Sequence, residues 1–321
     1  MDFVPTREEQ PALEELGTII KRRTLDGVYE RDRALLIRAF RQTPQVNAIE
    51  VTCPNPFKER LLRKVWDEYS METYRSSQLH QGSTQLVDIL SAAHEAGLEI
   101  QHIADDQLTS YFFTGEEELI TTEIYTYLSR LKSLSLTISD VPLELLPRNA
   151  ATIRLRKLIS ASSELENIYL KFESLFPVSL DFLPETQPSP TKLRTLTLVG
   201  VNMDPVRFFS FLEMQVDTFL RYLSINSAEL VEGSGTWRQF LQEIRDKFGS
   251  TLEKFQLAGV LKSAEVGGET WLLSPIYEAD WTKPVQPVFR NSGRSKEVED
   301  FVLRGGPWPM TDEDDISSLL D

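Results

Sequence analysis

Apolar and polar residues along this chain alternate between two rhythms. Leu193-Arg-Thr-Leu196-Thr-Leu198 places apolar residues at the first, fourth and sixth positions, and the arrangement returns 27 residues later as Leu220-Arg-Tyr-Leu223-Ser-Ile225. Between the two, Asp204 is placed to cap a helix, and Pro205 takes the first helical position, where a missing N–H costs nothing. Val206, Phe209 and Leu212, widened by Phe208 and Phe211, form an apolar stripe at helical spacing. A strand, a helix and a second strand are predicted. None of them can bury its apolar side alone, so neighbours of the same kind are expected on both sides.

Those neighbours are visible. Leu131-Lys-Ser-Leu134-Ser-Leu136, Leu165-Glu-Asn-Ile168-Tyr-Leu170 and Leu252-Glu-Lys-Phe255-Gln-Leu257 repeat the pattern, and Val46-Asn-Ala-Ile49-Glu-Val51 is a looser version. Each is preceded by a helical pattern. Ala12 to Phe40 reads as helix, with Asp32 as an N-cap and Pro44 as its stop. Ser83 and Thr84 open a second helix carrying Leu86, Ile89, Leu90 and Ala93, with Gly97 in the C′ position and Leu98 to Ile100 continuing as strand. A third follows Thr114 with Ile120, Ile124, Tyr127 and Leu128, and a fourth runs from Asn149 to Ser160. Thr236 and Gln239 are spaced as a capping box ahead of Trp237, Phe240, Leu241, Ile244 and Phe248, and Gly249 ends that helix. Ser295 signals a last helix with Val298, Phe301 and Val302 inside, closed by Gly305.

Alternating helices and strands predict an α/β fold. Periods of about 27–34 residues with this spacing predict a degenerate leucine-rich-repeat solenoid, a curved parallel sheet with helices on its outer face. A doubly wound sheet would need continuous apolar strands and a Gly-rich turn after one of them; both are missing here. The repeat is degenerate because Ser139, Glu173, Val201, Ala228 and Val260 stand where its asparagine is expected. A single domain over 1–310 is expected. It has an N-terminal helical cap over 1–44, insertions at 54–82 and 261–295, a capping helix over 296–305 and an acidic disordered tail over 311–321.

The formal net charge of −15 argues against nucleic acid and against an anionic membrane surface, both polyanions. No apolar run is long enough to span a bilayer, and the opening Met1-Asp-Phe-Val-Pro-Thr lacks the apolar core of a secretory signal. Cys53 is the only cysteine, so the expected compartment is a reducing one, cytoplasmic or nuclear. His80, His94, His102 and Cys53 match no zinc spacing, and there is no G-x-S-x-G turn, phosphate-binding loop or dinucleotide fingerprint. No enzyme, cofactor or metal is expected, an enzyme of unknown class being the remote alternative.

If the apolar strand residues point at the helices, the intervening ones face the other way and form three columns. The first is Ser133, Asn167, Thr195, Tyr222 and Lys254, the second Ser135, Tyr169, Thr197, Ser224 and Gln256, and the third Thr137, Lys171, Val199, Asn226 and Ala258. This face is nearly uncharged, and tyrosine is enriched at binding hot spots. Tyr169, Lys171, Tyr222, Asn226, Lys254 and Gln256 are the candidate protein-binding residues.

The paired strands at Leu193 and Leu220, the segment Ser91-Ala-Ala-His-Glu-Ala-Gly97 and the ending Val298-Glu-Asp-Phe-Val-Leu-Arg-Gly-Gly306 resemble fungal F-box and leucine-rich-repeat-like proteins. The resemblance implies a substrate receptor of a cullin ubiquitin ligase, in which an F-box holds a Skp-type adaptor and the repeats hold a protein substrate. An F-box opens with a Leu-Pro-x-Glu-Leu-Leu-like string, and the nearest match, Val141-Pro-Leu-Glu-Leu-Leu146, lies between two repeat strands. A non-enzymatic interaction module related to such receptors is therefore expected, with the adaptor as partner only if an F-box is cryptic or absent from this chain. The alternative is a stand-alone repeat scaffold with no ubiquitin link.

Overall fold

The computed structural model describes residues 28–51, 86–109, 112, 122–139, 148–173, 177–185, 190, 192–214, 220–264, 268–273, 276–278, 288–290, 293–311 and 314. The 54–82 insertion and Val141 to Leu146 lie outside these residues. The fold is mixed α/β around one mostly parallel sheet of nine strands. The chain enters by helix α1 (Val28–Gln42), which runs through Asp32 instead of starting there, and passes to β1 (Ala48–Val51). Helix α2 (residues 86–95) leads to β2 (His102–Thr109). Helix α3 (Thr122–Tyr127) with a 3-10 turn over Leu128–Arg130 leads to β3 (Ser133–Ser139), and α4 (Arg148–Ala161) to β4 (Asn167–Glu173). A short β5 (Val178–Ser179) and a 3-10 turn over Leu180–Phe182 precede β6 (Thr195–Met203). Then follow α5 (Pro205–Glu213), β7 (Tyr222–Leu230), α6 (Trp237–Phe248), β8 (Lys254–Ser263) and β9 (Thr270–Leu273). Strands β10 (Ile276–Glu278) and β11 (Val288–Arg290) pair with each other, and α7 (Arg294–Arg304) is the last helix.

Strand order in the sheet is chain order, β1-β2-β3-β4-β6-β7-β8-β9, with β5 pairing beside β6 and only the β8–β9 pair antiparallel. A doubly wound sheet reverses its order at a switch point, and this one does not. The strands also begin alike, each two residues after the first apolar residue of its pattern, at Ser133, Asn167, Thr195, Tyr222 and Lys254. One backbone contact repeats throughout. The carbonyl of the residue after that first apolar position accepts from two consecutive N–H groups of the next strand. Lys132 O takes Glu166 and Asn167 at 2.8 and 3.0 Å, Glu166 O takes Arg194 and Thr195, Arg194 O takes Arg221 and Tyr222, and Arg221 O takes Glu253 and Lys254. Asn47 O and Gln101 O do the same for the two preceding steps.

Gln101 thereby places β2 in the series, although a strand is expected at Leu98 to Ile100. Residues 98–100 are not strand, and β2 starts at His102. Register explains the difference: Ile103 pairs with Leu134, but Asp105 pairs with Leu136 and so occupies the third apolar position. Asp105 is buried there.

Every second strand residue faces the helices. Ile103, Leu134, Ile168, Leu196, Leu223 and Phe255 form one continuous row across six strands, and all are buried. They join one core with Leu155, Leu158 and Ile159 of α4, the phenylalanines of α5 and Trp237, Phe240 and Ile244 of α6. Each such side chain contributes about 1.5–3 kcal/mol by leaving water.

The starts of α5 and α6 follow the sequence logic. Asp204 Oδ1 accepts from the Val206 and Arg207 N–H groups at 3.0 and 3.3 Å. Thr236 and Gln239 form the reciprocal capping box, at 3.3 and 3.0 Å. Gly97, at φ 75°, ends α2 while Leu98 N–H reaches back to the Ala93 carbonyl. Val206, however, is 80% exposed. The buried face of α5 centres on Phe208 and Leu212, and at about 100° per residue Val206 points away from it. Ser295 is likewise not the cap of α7, which starts at Arg294; its hydroxyl donates to the Leu257 carbonyl at 2.9 Å, on the edge of β8 that β9 leaves open.

The sheet is not curled, contrary to the curved sheet expected. Helices pack 8–10 Å apart and strands about 4.8 Å, so a full helix in every interval would wedge the outer layer open and bend the sheet. Among the described residues, only a three-residue turn fills the helical layer between β4 and β6, and α3 has six residues. The wedge is correspondingly reduced. Within 261–295, read as a loop excursion, β8 runs on to Ser263 and β9 folds back on it. The Trp308 ring meets Trp271 of β9 at a tilt and Phe301 of α7 edge to face, at 5.5 and 5.2 Å, and the three close the core at this end.

Candidate functional site

The face of the sheet away from the helices carries the three expected columns in register. Ser133 pairs with Asn167, Asn167 with Thr195, Thr195 with Tyr222 and Tyr222 with Lys254. The column from Ser135 through Tyr169, Thr197 and Ser224 to Gln256 is equally continuous, as is that from Thr137 through Lys171, Val199 and Asn226 to Ala258.

Exposure divides this face unevenly. Thr197, Ser224, Gln256, Val199, Asn226 and Ala258, a block of six on β6, β7 and β8, are all buried. Ser224 Oγ donates to Gln256 Oε1 at 3.0 Å inside it. What stays accessible is an L-shaped strip. One arm runs along the start of the strands through Asn167, Thr195, Tyr222 and Lys254; the other runs along β3 and β4 through Ser135, Thr137, Tyr169 and Lys171. Tyr222 is 39% exposed, the most open tyrosine of the sheet. Of the six candidate binding residues, Tyr169, Lys171, Tyr222 and Lys254 lie on this strip, whereas Asn226 and Gln256 are buried in the block.

Charged groups line the strip at its margins. Lys171 Nζ pairs with Glu173 at 2.6 Å. Burial pushes the Lys254 ammonium below its ordinary pKa, with Lys296 adding to the push and Glu299 opposing it. Just outside the first arm, Arg194 approaches Glu166 at 3.9 Å, and Arg221 approaches Glu253 at 3.4 Å. Tyr222 also donates its hydroxyl to Glu253, at 3.2 Å. Two residues further out, Arg130 pairs with Glu99 and Lys192 with Glu164. These pairs join equivalent positions of neighbouring strands, since Glu166, Arg194, Arg221 and Glu253 each follow the first apolar residue. They escaped the sequence reading because the apolar template leaves that position open; reading it as a column would have exposed them.

His102, at the start of β2, extends the first column next to Ser133, and burial lowers its pKa, with Lys132 adding to the effect. His94 lies on α2 with its ring 5.0 Å from Tyr127, edge to face. Among the described residues no cluster of three or more His, Cys, Asp or Glu is arranged to hold a metal ion. No described helix is long and apolar enough to cross a membrane. The arrangement offers hydrogen bonds, aromatic surface and cations. Compared with known proteins, the chain matches no family model, no curated protein and no solved structure.

Proposed function

We propose that this chain is a non-enzymatic protein-interaction module, a degenerate leucine-rich-repeat array whose outer sheet face recognises another protein. The carrying observation is the accessible strip itself, where Tyr169 and Tyr222 present large side chains among Ser, Thr and Asn on parallel strands in register. Such a surface supplies aromatic contact area at low entropic cost. The repeated shared carbonyl at six successive steps and the matching strand order support the repeat reading.

Within that reading, the chain is related to the substrate-recognition region of F-box proteins, and its partner is a substrate protein. The second reading is a stand-alone scaffold with no ubiquitin link, in which Val141-Pro-Leu-Glu-Leu-Leu146, placed between the strands at Leu131 and Leu165, is a connection between repeats. A pull-down with purified Skp-type adaptor separates the two. No stoichiometric complex is expected with this chain; stoichiometric capture abolished by changes in Val141 to Leu146 would make that stretch an F-box and the chain a ligase subunit.

A further inference from the structure

The margin of the sheet where the strands begin differs in charge from the rest of the molecule. The chain carries a net charge of −15. Yet the accessible arm through Asn167, Thr195 and Tyr222 is bounded by five cations, Lys132, Arg194, Arg221, Lys254 and Lys296, against three carboxylates, Glu166, Glu253 and Glu299. All three carboxylates are already engaged: Glu253 meets Arg221 and the Tyr222 hydroxyl, Glu166 lies beside Arg194, and Glu299 pairs with Lys296. The side chains of Arg194 and Arg221 are 61% and 42% exposed, so their guanidinium donors remain accessible to a further acceptor. Inward of the arm, the buried Thr197, Ser224 and Gln256 end the accessible surface.

We propose that this margin binds an extended acidic peptide segment laid across the strands. This rests on the interaction-module reading and adds the chemistry of the partner. Four neighbouring strands at about 4.8 Å present the row over about 14 Å, the reach of roughly five extended residues. Side chains alternate along such a peptide, so its carboxylates reach Arg194, Arg221 and Lys254 while the intervening residues rest on Tyr222 and Thr195. Elsewhere on so acidic a surface the same peptide is repelled, which confines it to this margin.

The test uses the full chain and a fluorescein-labelled peptide of about eight residues alternating Asp and Tyr, followed by anisotropy at low and high salt. Saturable binding that weakens with salt is expected, together with at least a tenfold loss in the double variant Arg194→Glu, Lys254→Glu. The variant Lys157→Glu, an exposed change on α4, should bind as the unaltered chain does. Folding of each variant is checked by circular dichroism. Absence of binding, or equal loss in Lys157→Glu, overturns the acidic-peptide assignment. If an Asn-Tyr peptide of the same length binds equally well and loses affinity on Tyr222→Ala, the charge argument fails while the interaction-module reading stands.

Discussion

Gly200 of β6 stands directly opposite Ser227 of β7, and both hold left-handed backbone, at φ 75° and 51°. Gly259, at φ 74°, occupies the corresponding place in β8. All three lie seven residues after the first leucine of their pattern, at Leu193, Leu220 and Leu252. The bend therefore recurs with the repeat, one residue before the position where the asparagine is missing. It lets β6, β7 and β8 continue past the point where β4 ends, with Val201, Ala228 and Leu261 returning to the core.

Because a side chain at Gly200 would meet the Phe172 carbonyl oxygen inside contact distance, Gly200→Ala should cost about 1–3 kcal/mol. Ser227 is the only described non-glycine residue with positive φ, and Ser227→Gly should relieve about 1 kcal/mol of backbone strain. Roughly half of that gain is offset by the extra freedom of glycine in the unfolded chain. Urea denaturation of the two variants should move the midpoint in opposite directions. Equal destabilisation by both would remove the bend as a designed feature.

One continuous core runs from Ile49 of β1 to Val302 of α7. Cleavage between Gly200 and Asp204 would part β6 in the middle of its pairing with β7 and open apolar surface on both pieces. Neither half, produced alone, should show a cooperative melting transition. Two soluble, monomeric, well-folded halves would instead mean two separate domains.

Alkaline stability should report on Tyr127. Burial pushes its hydroxyl up to about 12, against the pull of the Ile100 backbone. A group whose pKa is raised on folding supports the fold below its unfolded value, here 10.0, and that support is lost as pH rises through the folded value. Between these limits the unaltered chain should lose stability more steeply than Tyr127→Phe. Parallel curves for the two would show that the hydroxyl titrates normally.

Much of this fold is legible from apolar spacing. Leucine, isoleucine and phenylalanine at the first, fourth and sixth positions locate five strands and fix their register, because each side chain must point at the helices. The strand β2 was hidden by Asp105, a carboxylate in an apolar row, which no hydropathy template admits. Val206 and Ser295 were misplaced for a related reason: spacing shows that a residue belongs to a helix, whereas its exposure depends on where the helix meets the sheet. The same limit applies to the face. Its columns follow from alternation alone, but the burial of Asn226 and Gln256 beside the accessible Tyr222 and Lys254 depends on three-dimensional packing.

Recognition through the accessible strip is tested most directly by Tyr169→Ala with Tyr222→Ala. Both lie on the outward face, and the hydrogen bond from the Tyr222 hydroxyl to Glu253 is an exposed one. Truncation at such positions should change stability by about 0.5 kcal/mol or less, while loss of a hot-spot tyrosine commonly costs about 2 kcal/mol of binding. Affinity purification from the native cell, quantified by mass spectrometry beside a melting curve, should show partner recovery falling well below that of the unaltered chain at a nearly unchanged melting temperature. A double variant that melts as the unaltered chain does and still captures every partner would contradict recognition through this face.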